Sequence, residues 1–247
     1  GAAWATGLSQ AAVIVLYLKH FLGPKGTIRF AGFRFSFAVI WRQIQNGFAS
    51  GITEFSGGMI IFFFNQAILA FIGEEALVSY TIISYVNTIV VMSMTGIAQG
   101  TQPLISCYYG KGERKKYQKL LKYGIVADMV FSGVSTAGCY LGAEGIVKVF
   151  LENDNPQLIA YTVRVFRVFI LSFLLAGYNV VIGGYFTSIE KAGFAAAISL
   201  TRSLVALVGS LVILTAVFGG EGIWWSPLLA ETVCLILALG MLNWYRK

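Results

Sequence analysis

The sequence predicts an all-α membrane protein of about seven transmembrane helices, and three observations carry that reading. Hydrophobic residues fill 57% of the 247 positions and charged residues only 12%, against about 25% charged in ordinary globular domains. The apolar residues come in blocks of roughly twenty, the length a helix needs to cross a hydrocarbon core of about 30 Å. Blocks such as GGMIIFFFNQAILAFIG lack the period-two alternation over about ten residues that outer-membrane barrel strands require.

Taken in order, the spans fall at 1–19, 45–72, 77–109, 118–142, 158–188, 191–218 and 222–245. Between the first two lies 20–44, HFLGPKGTIRFAGFRFSFAVIWRQI, too basic to cross and too aromatic for a free linker. It is expected to lie along the cytoplasmic interface, with Arg29, Arg34 and Arg42 toward lipid phosphates. The expected organisation is therefore one helix (1–19), an interfacial segment (20–44) and a six-helix body (45–247). The opening GAAWATGLSQ has no Met and no basic n-region, so it reads as a chain entered midway rather than as a signal peptide.

Net charge is +7, but the basic residues sit between apolar blocks rather than along one polar face, which argues for topology and against nucleic acid. Fourteen of them fall on one side, at Lys19, Lys25, Arg29, Arg34 and Arg42, in the 111–122 loop, at Lys191 and at Arg246 and Lys247. The opposite loops hold Lys148 and several carboxylates. Because cytoplasmic loops carry the basic excess, the chain is expected to start outside and end in the cytoplasm of a plasma, or bacterial inner, membrane. Trp224 and Trp225 at one end of the last span, and Trp244 and Tyr245 at the other, read as interfacial anchors. Arg164 and Arg167 read as side chains that snorkel to the surface.

Enzyme motifs are missing: the sequence has no HExxH, GxSxG or P-loop lysine pattern. Cys107, Cys139 and Cys234 are far apart, and His20 is the single histidine, which gives neither a disulfide framework nor a metal site. No cofactor is expected.

Ionisable residues inside the spans are the informative exceptions, since Asp, Lys or Arg at a helix centre costs about 2.5–3.5 kcal/mol even on the insertion scale. Glu54 lies about 15 Å from the cytoplasmic edge, on a face with Gly47, Ser50, Gly51, Gly57, Gly58, Ile61 and Asn65. It is a candidate for H⁺ or Na⁺ coupling; the alternative is a protonated Glu bonded to a neighbouring helix at a tight glycine contact. Asp128, beside Gly124, Ser132 and Ser135, is a second candidate. Arg202 and Glu231 fall at similar depth on consecutive antiparallel spans, and a buried structural ion pair is expected. Asn65, Asn87, Gln99, Gln102, Tyr178 and Asn179 mark faces that either line a hydrated path or hold helices together.

One run, GIAQGTQPLISCYYGKGERKK at the end of the third span, resembles the signature closing the second helix of each lobe in the multidrug and toxic compound extrusion (MATE) family. RVFRVFILSFLLAGYNVVIGGYFTSIEKA is similar to that family's tenth helix, and GEGIWWSPLLAETVCLI to its twelfth. The resemblance implies two six-helix lobes related as a parallel repeat, of which this chain holds helix six, the inter-lobe segment and the C-terminal lobe. It implies antiport: an organic cation or other drug leaves as Na⁺ or H⁺ enters, through a protein that is a monomer when complete and in which the missing N-terminal lobe is this chain's partner. Glu54 falls in the seventh helix, where many members place a coupling carboxylate, whereas Asn179 stands where some have an Asp. Two alternatives remain: a lipid-linked oligosaccharide flippase of the same superfamily, and a truncated, non-transporting fragment.

Overall fold

The computed structural model describes residues 2–22, 35–151 and 155–246 and is built, among these, entirely of helices. In chain order they are α1 (Ala2–Leu22), α2 (Phe37–Phe71), α3 (Glu75–Gly110), α4 (Arg114–Leu141), α5 (Ala143–Phe150), α6 (Pro156–Phe169), α7 (Phe173–Ser188), α8 (Ala192–Leu200), α9 (Ala206–Phe218) and α10 (Glu221–Arg246). A 3₁₀ turn, Ile170–Ser172, joins α6 to α7, and a π turn, Thr201–Val205, joins α8 to α9. The chain divides into two compact units, Gly1–Trp41 and Arg42–Lys247.

Among the described residues, five helical stretches are long and apolar enough to cross a membrane: Glu75–Gly110, Arg114–Leu141, Pro156–Ser188, Ala192–Phe218 and Glu221–Tyr245. Phe55–Phe71 is a shorter apolar helix. The all-helical membrane architecture read from the sequence is the one observed. Two local differences stand out. Residues 37–44, read as interfacial, form the first turns of α2, because FAVIW supplies apolar helix formers with no breaker before the span. Residues 23–34 of the predicted interfacial segment lie outside the described residues. Residues 143–150, read as loop, form α5, which buries Ala143 and Val147 and exposes the Glu144–Lys148 pair.

Local chemistry explains the ends and breaks. Asn155 caps α6: its Oδ1 accepts from the Gln157 N–H at 3.0 Å, with Pro156 at the first helical position where its missing N–H costs nothing. Gly73, Gly112 and Gly219 take positive φ in the turns after α2, α3 and α9. Pro227 inside α10 leaves the Ile223 carbonyl without its helical donor, and the Ser226 hydroxyl fills the gap at 2.7 Å.

The Arg42–Lys247 unit packs around two apolar clusters. One gathers Phe64, Tyr80, Phe166, Phe173, Leu207 and Trp224; the other gathers Ile105, Leu121, Tyr185, Phe186, Ile198 and Cys234. On α3, α7, α10 and the α8–α9 span, the clusters occupy opposite ends. The polar residues at mid-span fall between them. At the other side of the balance, Leu141, Ile236 and Val130 are largely exposed, as expected of side chains facing lipid.

Candidate functional site

Arg202 sits within the π turn, where one additional residue per turn pushes the backbone out of α-helical phase. Its Nε donates to Glu231 of α10 at 2.9 Å (Oε1) and 3.2 Å (Oε2), and both side chains are mostly buried, at 19% and 12% exposure. Asn179 of α7 completes the cluster: its Nδ2 donates to the Glu231 carbonyl oxygen at 3.0 Å and to Glu231 Oε2 at 2.7 Å. Three spans thus meet through one carboxylate. The charges offset each other, and the amide bonds satisfy lone pairs that would otherwise be stranded in a low-dielectric interior.

Two cavities open against this cluster, each of about 180 Å³. The first is lined by Thr95, Gln99, Gln102, Asn179, Thr187 and Ser199 among others. The second is more aromatic, with Phe64, Tyr80, Asn87, Phe173 and Glu231. Arg202 and Ser203 line both. The Asn179 Oδ1 is buried without a hydrogen-bond partner among the described residues.

Asp128 is 1% exposed and lies on α4 against α7, apart from the residues that line the two cavities. Ser132 Oγ is 3.4 Å from its Oδ2, while Oδ1 has no partner. The carboxylate occupies space that Gly177 provides: a Cβ there would sit 1.4 Å from Asp128 Oδ2. Asn65 is half-buried on α2 and lines neither cavity, and Tyr178 is half-buried on α7 and likewise lines neither. Glu54 belongs to α2, but its side chain lies outside the described residues.

The structure therefore brings together Asn87, Gln99, Gln102, Asn179, Arg202 and Glu231, while Asp128 lines neither cavity. Sequence reasoning missed Ser203, which faces both cavities, and Gly184, whose missing side chain admits Gln102, since a Cβ there would lie 2.8 Å from Gln102 Nε2. It also missed that Asn179 binds Glu231; their common mid-span depth was the available signal. Arg164, expected to reach the surface, donates to Glu221 at 2.6 Å.

A bundle of membrane-length helices that buries a charge pair beside polar cavities has the architecture of a multi-pass membrane protein. The chain belongs to the MatE family, whose profile matches residues 48–212. It is 27% identical over 250 residues to the multidrug export protein MepA of Staphylococcus haemolyticus (strain JCSC1435), and 25% identical over 250 residues to that of Staphylococcus aureus (strain bovine RF122 / ET3-1); in each case the match covers 97% of this chain and 52% of the relative. The chain thus spans about half the length of the curated relatives it matches. Its fold is that of a multidrug resistance MATE family transporter of the MOP superfamily solved in an outward-facing conformation, with a TM-score of 0.89 at 19% identity over 97% of this chain and 54% of that one. The inward-facing conformation of a transporter so described gives a TM-score of 0.76 at 18% identity, over 97% and 56%.

Proposed function

We propose that this chain supplies the C-terminal lobe and the preceding helix of a drug efflux antiporter, which exports organic cations or other drugs in exchange for Na⁺ or H⁺. The observation that carries the reading is the pair of cavities meeting at Arg202 and Ser203, in a chain whose relatives are named multidrug export proteins. Arg202 and Glu231 hold α7, the α8–α9 span and α10 together, while Asn87, Gln99, Gln102 and Asn179 line the substrate path. Asn65 and Tyr178 extend that path on α2 and α7. Glu54 and Asp128 are the coupling carboxylates; the free Oδ1 of Asp128 supports its share of that role. The distribution of basic residues supports an N-terminus outside and a C-terminus in the cytoplasm of the plasma membrane.

The test is cation-dependent ethidium efflux from cells expressing the chain alone or fused behind the N-terminal helices of MepA from Staphylococcus haemolyticus. Efflux by the fusion and not by the chain alone supports a lobe that needs its partner. The Glu54→Gln and Asp128→Asn fusions are expected to lose the dependence on the ion gradient by tenfold or about that; unchanged coupling in both refutes the assignment of these carboxylates.

A further inference from the structure

Trp224 and Trp225 are neighbours with opposite surroundings. Trp224 is 1% exposed and its Nε1 donates to the Tyr161 hydroxyl at 3.0 Å, whereas Trp225 is 43% exposed. A cavity flanks Trp225 on each side. One, of about 490 Å³, runs between α9 and α10 along Leu214, Phe218, Leu228 and Leu229, from Glu221 to Thr232. The other, of about 460 Å³, lies between α4, α6 and α10 and carries Tyr140, Arg164 and Arg167. Along α10, Glu221 to Thr232 is a rise of about 16 Å, half of a hydrocarbon core of about 30 Å. The first groove therefore has the depth of a single leaflet.

Around Trp225 one cation stands outside the salt bridges. Arg164 is matched by Glu221 at 2.6 Å, and Glu144 by Lys148 at 2.5 Å. Arg167, which lines the second cavity, makes no salt bridge among the described residues, and its charge reaches Glu144 only at longer range. Its Nε donates to the Tyr140 carbonyl at 3.3 Å and its guanidinium lies 5.1 Å from the centroid of the Tyr140 ring. Two parallel donors on a delocalised cation suit a phosphate diester. An indole at the same level suits the zone between headgroup and acyl chain.

We propose that this face binds one anionic phospholipid: Arg167 takes the phosphodiester, Trp225 stands at the glycerol level between the two grooves, and an acyl chain fills the groove from Leu214 to Thr232. The depth of the groove and an Arg167 outside any salt bridge among the described residues select a lipid over a second copy of the chain, since a twofold mate seated here would bring another Arg167 toward the first.

The test uses the 247-residue chain in phosphatidylcholine nanodiscs with a minor fraction of phosphatidylglycerol, one lipid at a time carrying brominated acyl chains that quench nearby tryptophan. Brominated phosphatidylglycerol is expected to quench beyond its mole fraction, with a preference of about fivefold for the site. Trp225→Phe and Arg167→Gln each remove the excess, while Arg167→Lys keeps part of it. Equal quenching by the two lipids overturns the proposal, as does an excess that survives both Trp225→Phe and Arg167→Gln. Should Arg167→Gln elute as aggregate, the wild-type and Trp225→Phe comparison decides alone. Quenching by neither lipid at Trp225 means that protein covers the face, and also overturns it.

Discussion

Single atoms set the sharpest constraints in this molecule. Gly177 and Asp128 occupy one space, so Gly177→Ala is expected to destabilise by about 1–3 kcal/mol as an overpacked core position does. Combined with Asp128→Ala, the added methyl meets only the Ser132 Oγ, 2.8 Å away, which a hydroxyl rotation can relieve. A double-mutant cycle on thermal midpoints in detergent should then show strong non-additivity. Arg202 and Glu231 obey the same logic with charge in place of volume. Arg202→Met alone strands a buried carboxylate and is expected to cost about 3–5 kcal/mol, whereas Arg202→Met with Glu231→Met recovers most of it. Equal losses in the single and double variants would show that the pair does not stabilise the fold in this way. Outside the spans, Lys148 holds the Glu144 carboxyl below its ordinary value, by its hydrogen bond first and its charge second. A depressed folded-state value means that the pair's contribution is present above the ordinary carboxylate range and is lost as pH falls through the lowered value. Both side chains are well exposed, so Lys148→Ala is expected to leave the thermal midpoint where it was.

Elements differ in how they are terminated, and the differences say where substitutions bite. The start of α6 depends on Asn155, whose Oδ1 supplies the acceptor for one of the orphan N–H groups. Asn155→Ala is expected to cost about 0.5–2 kcal/mol, read as a lower thermal midpoint and faster amide exchange at 157–160. The close passage of α9 and α10 depends on Gly222, where a Cβ would lie 2.1 Å from the Leu214 carbonyl oxygen. Much at this scale was legible in sequence. Spans 77–109, 118–142 and 222–245 fall within a few residues of α3, α4 and α10, because twenty-residue apolar blocks bounded by charge leave little choice. Residues 37–44 and 143–150 escaped because interfacial and loop readings rest on charge, while helix formation there rests on local propensity and on two buried side chains, Ala143 and Val147. The Arg202–Glu231 contact was legible from depth along antiparallel spans. Ser203 and the bond from Asn179 to Glu231 were not, since which face of a helix meets a neighbour depends on the rotation set by the π turn.

At the largest scale, the Arg42–Lys247 unit holds two main apolar clusters with polar residues between them, and the backbone is irregular at that level. The 3₁₀ turn at Ile170–Ser172 and the π turn at Thr201–Val205 interrupt two of the five membrane-length stretches near mid-span. At the end of α7 and the start of α2, Arg42 is bonded to Glu190, which takes a φ of 57°. The π turn has one further consequence. A wide turn is a residue inserted without lengthening the span much, so α8 and α9 keep two separate phases of the same helix. Removing one residue between 201 and 205 would let the wide turn close to an α turn, so that Ala206, Leu207, Ser210, Leu211 and Thr215 could stay inside together with Ala195 and Ile198 of α8. A second inserted residue, which would rotate α8 against α9 by about 100°, is therefore expected to unfold the span, whereas a single deletion in the turn keeps the packing and takes away the bulge that holds the guanidinium over the cavities.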